Sequence, residues 1–171
     1  MILTIYTNVH VIISLLGIVS GFVVVFGFLT AKPFEKWASF FLATTTATSV
    51  TGFFFPFHGF TPAYAFGVLS LLVLGVAYYS RRTRRLAGPW RKVYVINAFV
   101  ALYLNVFVLV VQLFLKVPAL KAIAPTQSEP PFAIAQGVVL VAFLALGVAA
   151  LSRFPALPSL QQAPTGAASI S

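Results

Sequence analysis

The chain has 171 residues, of which 60% are hydrophobic and 8% charged, with a net charge of +9. A soluble domain carries about 25% charged residues, whereas here the apolar residues come in runs of about 20, the length that spans a hydrocarbon layer. The composition excludes an ordinary soluble domain and predicts an all-α transmembrane bundle over residues 1–151, with residues 152–171 as a disordered cytoplasmic tail. Cysteine is absent, which excludes disulfide frameworks, CxxC redox pairs and thiolate metal sites.

The first predicted span runs from Val9 to Leu29. No basic residue precedes it, and the first one in the chain is Lys32, so it reads as a retained span and not a secretory signal. His10, Ser14, Gly17 and Gly21 are four, three and four residues apart and share one face. That face contains a GxxxG pattern that admits another helix closely.

The second span, Ala38 to Phe57, is the least apolar. Thr44, Thr48 and Thr51 lie at helical spacing within it, and such hydroxyls are tolerated because they bond to carbonyls of the preceding turn. A four-span bundle with this segment half-buried is the alternative to five spans. Next, FFFPFHGF from Phe53 to Phe60 is expected to cap the outer interface with its rings, reversing the chain at Pro56 and Gly59. The third span, Ala63 to Ser80, has a small-residue stripe of Ala63, Gly67, Ser70 and Ala77, read like the helix 1 face as a packing seam.

Six of the eleven basic residues then fall in RRTRRLAGPWRK: Arg81, Arg82, Arg84, Arg85, Arg91 and Lys92. Their position between two apolar runs argues against nucleic acid and for a cytoplasmic loop. Alternation then puts Lys32, Lys36 and Arg153 on the same side, leaving Lys116 and Lys121 outside with the amino terminus. Trp37, Tyr79, Trp90 and Tyr94 are expected at the inner boundary. The basic cluster also suits anionic lipid headgroups.

The fourth span, Val93 to Leu115, places Asn97, Ala101, Asn105, Val108 and Gln112 on one face, expected to point inward as interhelical hydrogen-bond glue or as the lining of a small channel or carrier. In the following outer loop, VPALKAIA is expected to form a short interfacial helix started by Pro118 and stopped at Pro125. Phe132 to Leu151 is the fifth span.

The only acids are Glu35 and Glu129, neither in a span, which argues against a transporter built on buried carboxylates. Glu35 reads as a solvated neighbour of Lys36. No GxSxG elbow or phosphate loop ending in GK[ST] is present, so enzymatic activity is not expected. Both histidines map to the outer side, as do Gln112, Gln136 and Glu129. Three arrangements are compatible with them: interfacial residues bonded to carbonyls or water; a redox site in which His10 and His58 ligate a b-type haem, or a histidine and a glutamine hold a quinone; and a metal held by His10, His58 and Glu129.

The stretch ALYLNVFVLVVQLFLKVPALKAIAPTQSEPPFAIAQG, Ala101 to Gly137, and more loosely SVTGFFFPF, resembles segments of small multi-pass bacterial inner-membrane proteins of unknown function. The resemblance implies a bacterial inner-membrane location and supplies no activity. Taken together, the sequence predicts a non-enzymatic accessory or structural subunit that packs with itself or with a larger membrane complex.

Overall fold

A computed structural model describes residues 1–32, 34–55 and 62–154. Among these the chain is helical: α1 Ile2–Leu29, α2 Glu35–Gly52, α3 Pro62–Tyr78, α4 Trp90–Lys116, α5 Pro118–Ile123 and α6 Pro130–Arg153, with a π-helical turn at Tyr79–Thr83 continuing α3. His58, Pro56, Gly59 and the tail from residue 155 lie outside the described residues.

The helix ends follow local chemistry. α1 starts at Ile2, earlier than the expected Val9, because nothing in ILTIYTN stops a helix. At its other end Lys32 N–H donates to Gly27 O at 2.9 Å and Ala31 N–H to Phe28 O at 3.4 Å, with Ala31 at φ 56°. This is the double closure usually made around a left-handed glycine. Here the glycine is Gly27 instead, where a Cβ would lie 2.8 Å from Lys32 O and 2.8 Å from the Phe34 ring. In α2, Thr44, Thr46, Ser49 and Thr51 each donate to the carbonyl four residues back, which satisfies the hydroxyls within the helix. α5 begins on Pro118 and ends before Pro125, as its prolines predict.

Contacts between the long helices fix their directions. Thr51 meets Tyr6 and His10, Thr45 meets Gly17, and Phe41 meets Gly21, so α1 and α2 are antiparallel. Phe53 against Gly67 and Arg81 against Glu35 make α2 and α3 antiparallel. The pairs Phe66–Phe107 and Tyr79–Trp90 do the same for α3 and α4, and Phe114–Phe132 and Tyr103–Phe143 for α4 and α6. The core lies where α1, α2, α3 and α4 converge, around Phe41, Leu42, Leu74, Val95 and Leu102.

Four helical segments are long and apolar enough to cross a membrane: Ile2–Leu29, Tyr64–Thr83, Trp90–Lys116 and Pro130–Arg153. They mark the chain as a membrane protein. α2, with 18 residues and a hydroxyl-rich centre, does not meet that standard. Large apolar side chains face outward on α6 at Ile134, Val138, Val141, Leu144 and Val148, and on α1 at Ile5, Val9, Ile12, Leu16 and Val19.

Candidate functional site

At the end of the bundle where α1 begins, His10 projects onto α2. Its Nδ1 lies 2.8 Å from Thr51 Oγ1, and that hydroxyl already gives its proton to Ala47 O at 2.7 Å. With the hydroxyl proton on Ala47 O, Thr51 accepts from His10, and the neutral ring then carries its proton on Nδ1 and its lone pair on Nε2. Phe55 meets the imidazole edge at a centroid distance of 5.1 Å, and Tyr6 packs on the same phenyl ring while donating to Thr51 O. Ser14 donates to His10 O at 2.8 Å. Tyr6 was not legible as a partner, because it precedes the expected span.

Below His10 the small residues let α1 and α2 approach. A Cβ on Gly17 would meet Thr45 Oγ1 at 3.3 Å, and one on Gly21 would meet Leu102 Cδ1 at 2.5 Å and the Phe41 ring at 2.9 Å. The GxxxG face is thus consumed within the chain. On α3, Gly67 takes the Phe53 ring, which would lie 2.8 Å from a Cβ there, and Ser70 is buried.

Of the other expected site residues, Gln112, Gln136 and Glu129 do not join His10, and His58 lies outside the described residues. Gln136 is buried against α4, donating to Phe107 O at 3.2 Å, while among the described residues its Oε1 has no partner. Gln112 is exposed, as is Val108, so the helix 4 face points inward only over its first half. α2 reaches α4 at Asn105, which donates to Thr45 Oγ1 at 3.3 Å; Asn97 turns back to Val93 O. Glu129 serves its own loop, accepting from Thr126 N–H, Thr126 Oγ1 and Ser128 N–H. Desolvation works to raise its pKa, but those hydrogen bonds outweigh it and hold the carboxyl below its usual value. Among the described residues no three metal-ligating side chains come together.

The opposite end gathers charge. Glu35 is exposed next to Lys36, as expected, but its carboxylate pairs with Arg81, which also donates to Glu35 O at 2.8 Å. An open cleft of about 310 Å³ is lined by Glu35, Ser39, Arg81, Arg82, Arg85 and Leu86. Beside it a cavity of about 20 Å³, room for one water molecule, lies against Phe28, Arg81, Tyr94 and Phe154. Tyr94 is buried at this end, turned into the bundle, where it lines the same cavity as Arg81. Trp90 and Tyr79 meet edge to face, with centroids 5.2 Å apart, under the Arg84 guanidinium.

No family model, curated protein or solved structure matches the chain.

Proposed function

We propose that the protein is a multi-pass component of the bacterial inner membrane, with five spans, the amino terminus outside and the basic end in the cytoplasm. In this reading it is a non-enzymatic accessory or structural subunit, assembling with itself or with a larger membrane complex. The observation that carries it is the sorting of surface chemistry. Nine of the eleven basic residues belong to the end where Glu35 meets Arg81 and Arg91 meets Phe154, and the flanks between the two ends are apolar. Basic loops are retained on the cytoplasmic side, and apolar flanks of that extent are suited to lipid or to a neighbouring subunit.

α2 is included as a fifth span on the strength of its contacts. It runs antiparallel to α1 and α3 and joins the two ends, with most of its hydroxyls bonded within the helix and Thr51 and Thr45 turned to α1 and α4. The anionic headgroups of the inner leaflet are the expected lipid partner for the basic end. Two measurements test this function. The chain should stay in the membrane pellet after alkaline carbonate, and in mild detergent its protein mass should exceed that of one 18.4 kDa chain. A monodisperse monomer from membranes solubilised under such conditions would contradict the subunit reading.

A second reading has one specific observation in its favour. A histidine whose Nδ1–H is held by a hydroxyl presents Nε2 as a ligand, the arrangement by which metal and haem histidines are oriented. Under it His10 would hold a b-type haem as one of its ligands, or would accept from a quinol hydroxyl. The absorption spectrum of the purified protein, before and after dithionite, separates the readings. A Soret band that shifts on reduction and disappears in His10→Ala supports haem, and a featureless spectrum removes it.

A further inference from the structure

The six basic residues around the α3–α4 connection are not equivalent. Arg81 is paired with Glu35. Arg84 lies over the rings of Tyr79 and Trp90, 5.4 and 5.0 Å from their centroids. Arg82, Arg85 and Lys92 are exposed, where water and salt solvate them. Arg91 differs from all five. It is only 9% exposed, and among the described residues its Nε and Nη1 have no hydrogen-bond partner. Its guanidinium lies 5.8 Å from the Phe154 ring centroid, at the end of α6.

An unpaired guanidinium cannot relieve its burial by losing a proton, because its pKa is far above neutrality. Buried charges are therefore kept with a counter-charge, and one left alone is strongly unfavourable. Among the described residues there is no such partner. Of the chain's two acids, Glu35 is taken by Arg81, and Glu129 sits at the opposite end holding its own loop. A ring face offers attraction but no acceptor oxygen.

The position of Arg91 defines what the missing partner is. Arg91 is the second residue of α4, a helix that starts without a side-chain cap, so its first-turn amides and dipole add positive potential. Lys92 and Arg153 are exposed at the same end. The Tyr79 and Trp90 rings next to Arg91 belong to the class of side chain that settles at headgroup level. A phosphate with several acceptor oxygens matches a planar guanidinium better than a single carbonyl does.

We propose that Arg91 is a specific binding site for the phosphate of one anionic phospholipid, held between the first turn of α4 and the Phe154 end of α6. The other basic residues then supply attraction without specificity. This inference rests on the membrane reading above and deepens it, since it needs the basic end to lie at a leaflet.

The test uses the full chain in detergent, as wild type and as Arg91→Gln, Arg91→Met and the double variant Arg82→Gln/Arg85→Gln. Phosphatidylglycerol, phosphatidylcholine and inorganic phosphate are added separately, with lipid stoichiometry read by native mass spectrometry and stability by Tm. Wild type should take up one phosphatidylglycerol with a rise in Tm, and phosphatidylcholine and phosphate should give none. Arg91→Gln should weaken that uptake by at least about tenfold, the loss expected for one charge-assisted hydrogen bond. The double variant should keep it. Arg91→Met supplies a sign that a purely structural arginine would not: it should melt higher than wild type without lipid, because it removes an unpaired buried charge, yet fail to respond to phosphatidylglycerol.

Equal uptake by Arg91→Gln and wild type overturns the proposal, and an equal Tm rise with inorganic phosphate assigns the site to free phosphate and overturns the lipid. Carbonate extraction separates the two levels. A chain that stays in the pellet while Arg91→Gln binds lipid normally loses only this inference, whereas a chain released by carbonate loses the membrane reading with it.

Discussion

α2 and α6 invert the expectation that apolar segments go inside. α2 is rich in hydroxyls and buries Ala38, Phe41, Leu42, Thr45 and Ser49 between its neighbours. α6 is one of the most apolar helices, yet only 17% of its apolar window is buried, against 44% for α1. In water the opposite assignment would be more stable, because exposed apolar area is what folding removes. In a bilayer there is no such drive between helices, and association relies on close packing and internal hydrogen bonds. The hydroxyl-rich helix then packs closely between α1 and α3, and the valine-rich helix keeps most of its surface at the rim.

The largest effect should come from the tight side of this contrast. Gly21→Leu places side-chain atoms where Leu102 and Phe41 already sit, and should cost about 3 kcal/mol, the upper part of the range for overpacking. Its reversible unfolding in mixed micelles measures this, and a change near zero would mean that α1, α2 and α4 do not meet as described. On the loose side, Val141→Arg is the sharper probe. Val141 is 66% exposed near the middle of α6. In water that change would be almost neutral, whereas a central arginine in a span raises the insertion free energy by about 2.5 kcal/mol, readable as a fall in the inserted fraction.

Smaller effects refine the comparison. Removing the His10–Thr51 contact should show a coupling of about 0.6 kcal/mol in a double-mutant cycle with His10→Ala and Thr51→Val, the average for polar pairs between membrane helices. A coupling of zero would remove the hydrogen bond that assigns the imidazole proton. Val138→Ala on the outer face of α6 should change stability by less than about 0.5 kcal/mol, and a loss several times larger would place a protein partner on that face. Glu129 gives a pH signature outside the helices. Its carboxyl is held below the usual value by Thr126 and Ser128, so the order it confers on the loop is complete above the unfolded-state pKa and is lost as pH falls through the lower folded-state pKa. Amide exchange at Thr126 and Ser128 should accelerate only under acid conditions, and not in Glu129→Gln, where it should already be fast.

Much of the fold was legible because it depends on short-range pattern. Pro118 and Pro125 bound α5, and the four–three–four spacing of His10, Ser14, Gly17 and Gly21 defines the α1 face that meets α2. What was not legible depends on tertiary proximity. The partner of Glu35 is Arg81, 46 residues away, while the adjacent Lys36 drew attention by proximity in sequence alone. Gln112 shares a helical face with Asn105, but α2 reaches α4 at Asn105 and leaves Gln112 exposed. Burial of Arg91 was hidden for the same reason: in sequence it is one more cation in a basic run.

The central claim is that the helices form five alternating spans with the basic end inside, and accessibility tests it most directly. The chain has no cysteine, so single cysteines at Lys32, Thr83 and Ser128 can be challenged in intact cells with an impermeant maleimide. The account predicts labelling at Ser128 and protection at Lys32 and Thr83, with all three labelled after the membrane is opened. Labelling of Lys32 together with protection of Thr83 would mean that α2 does not cross, and labelling of Thr83 with protection of Ser128 would reverse the orientation.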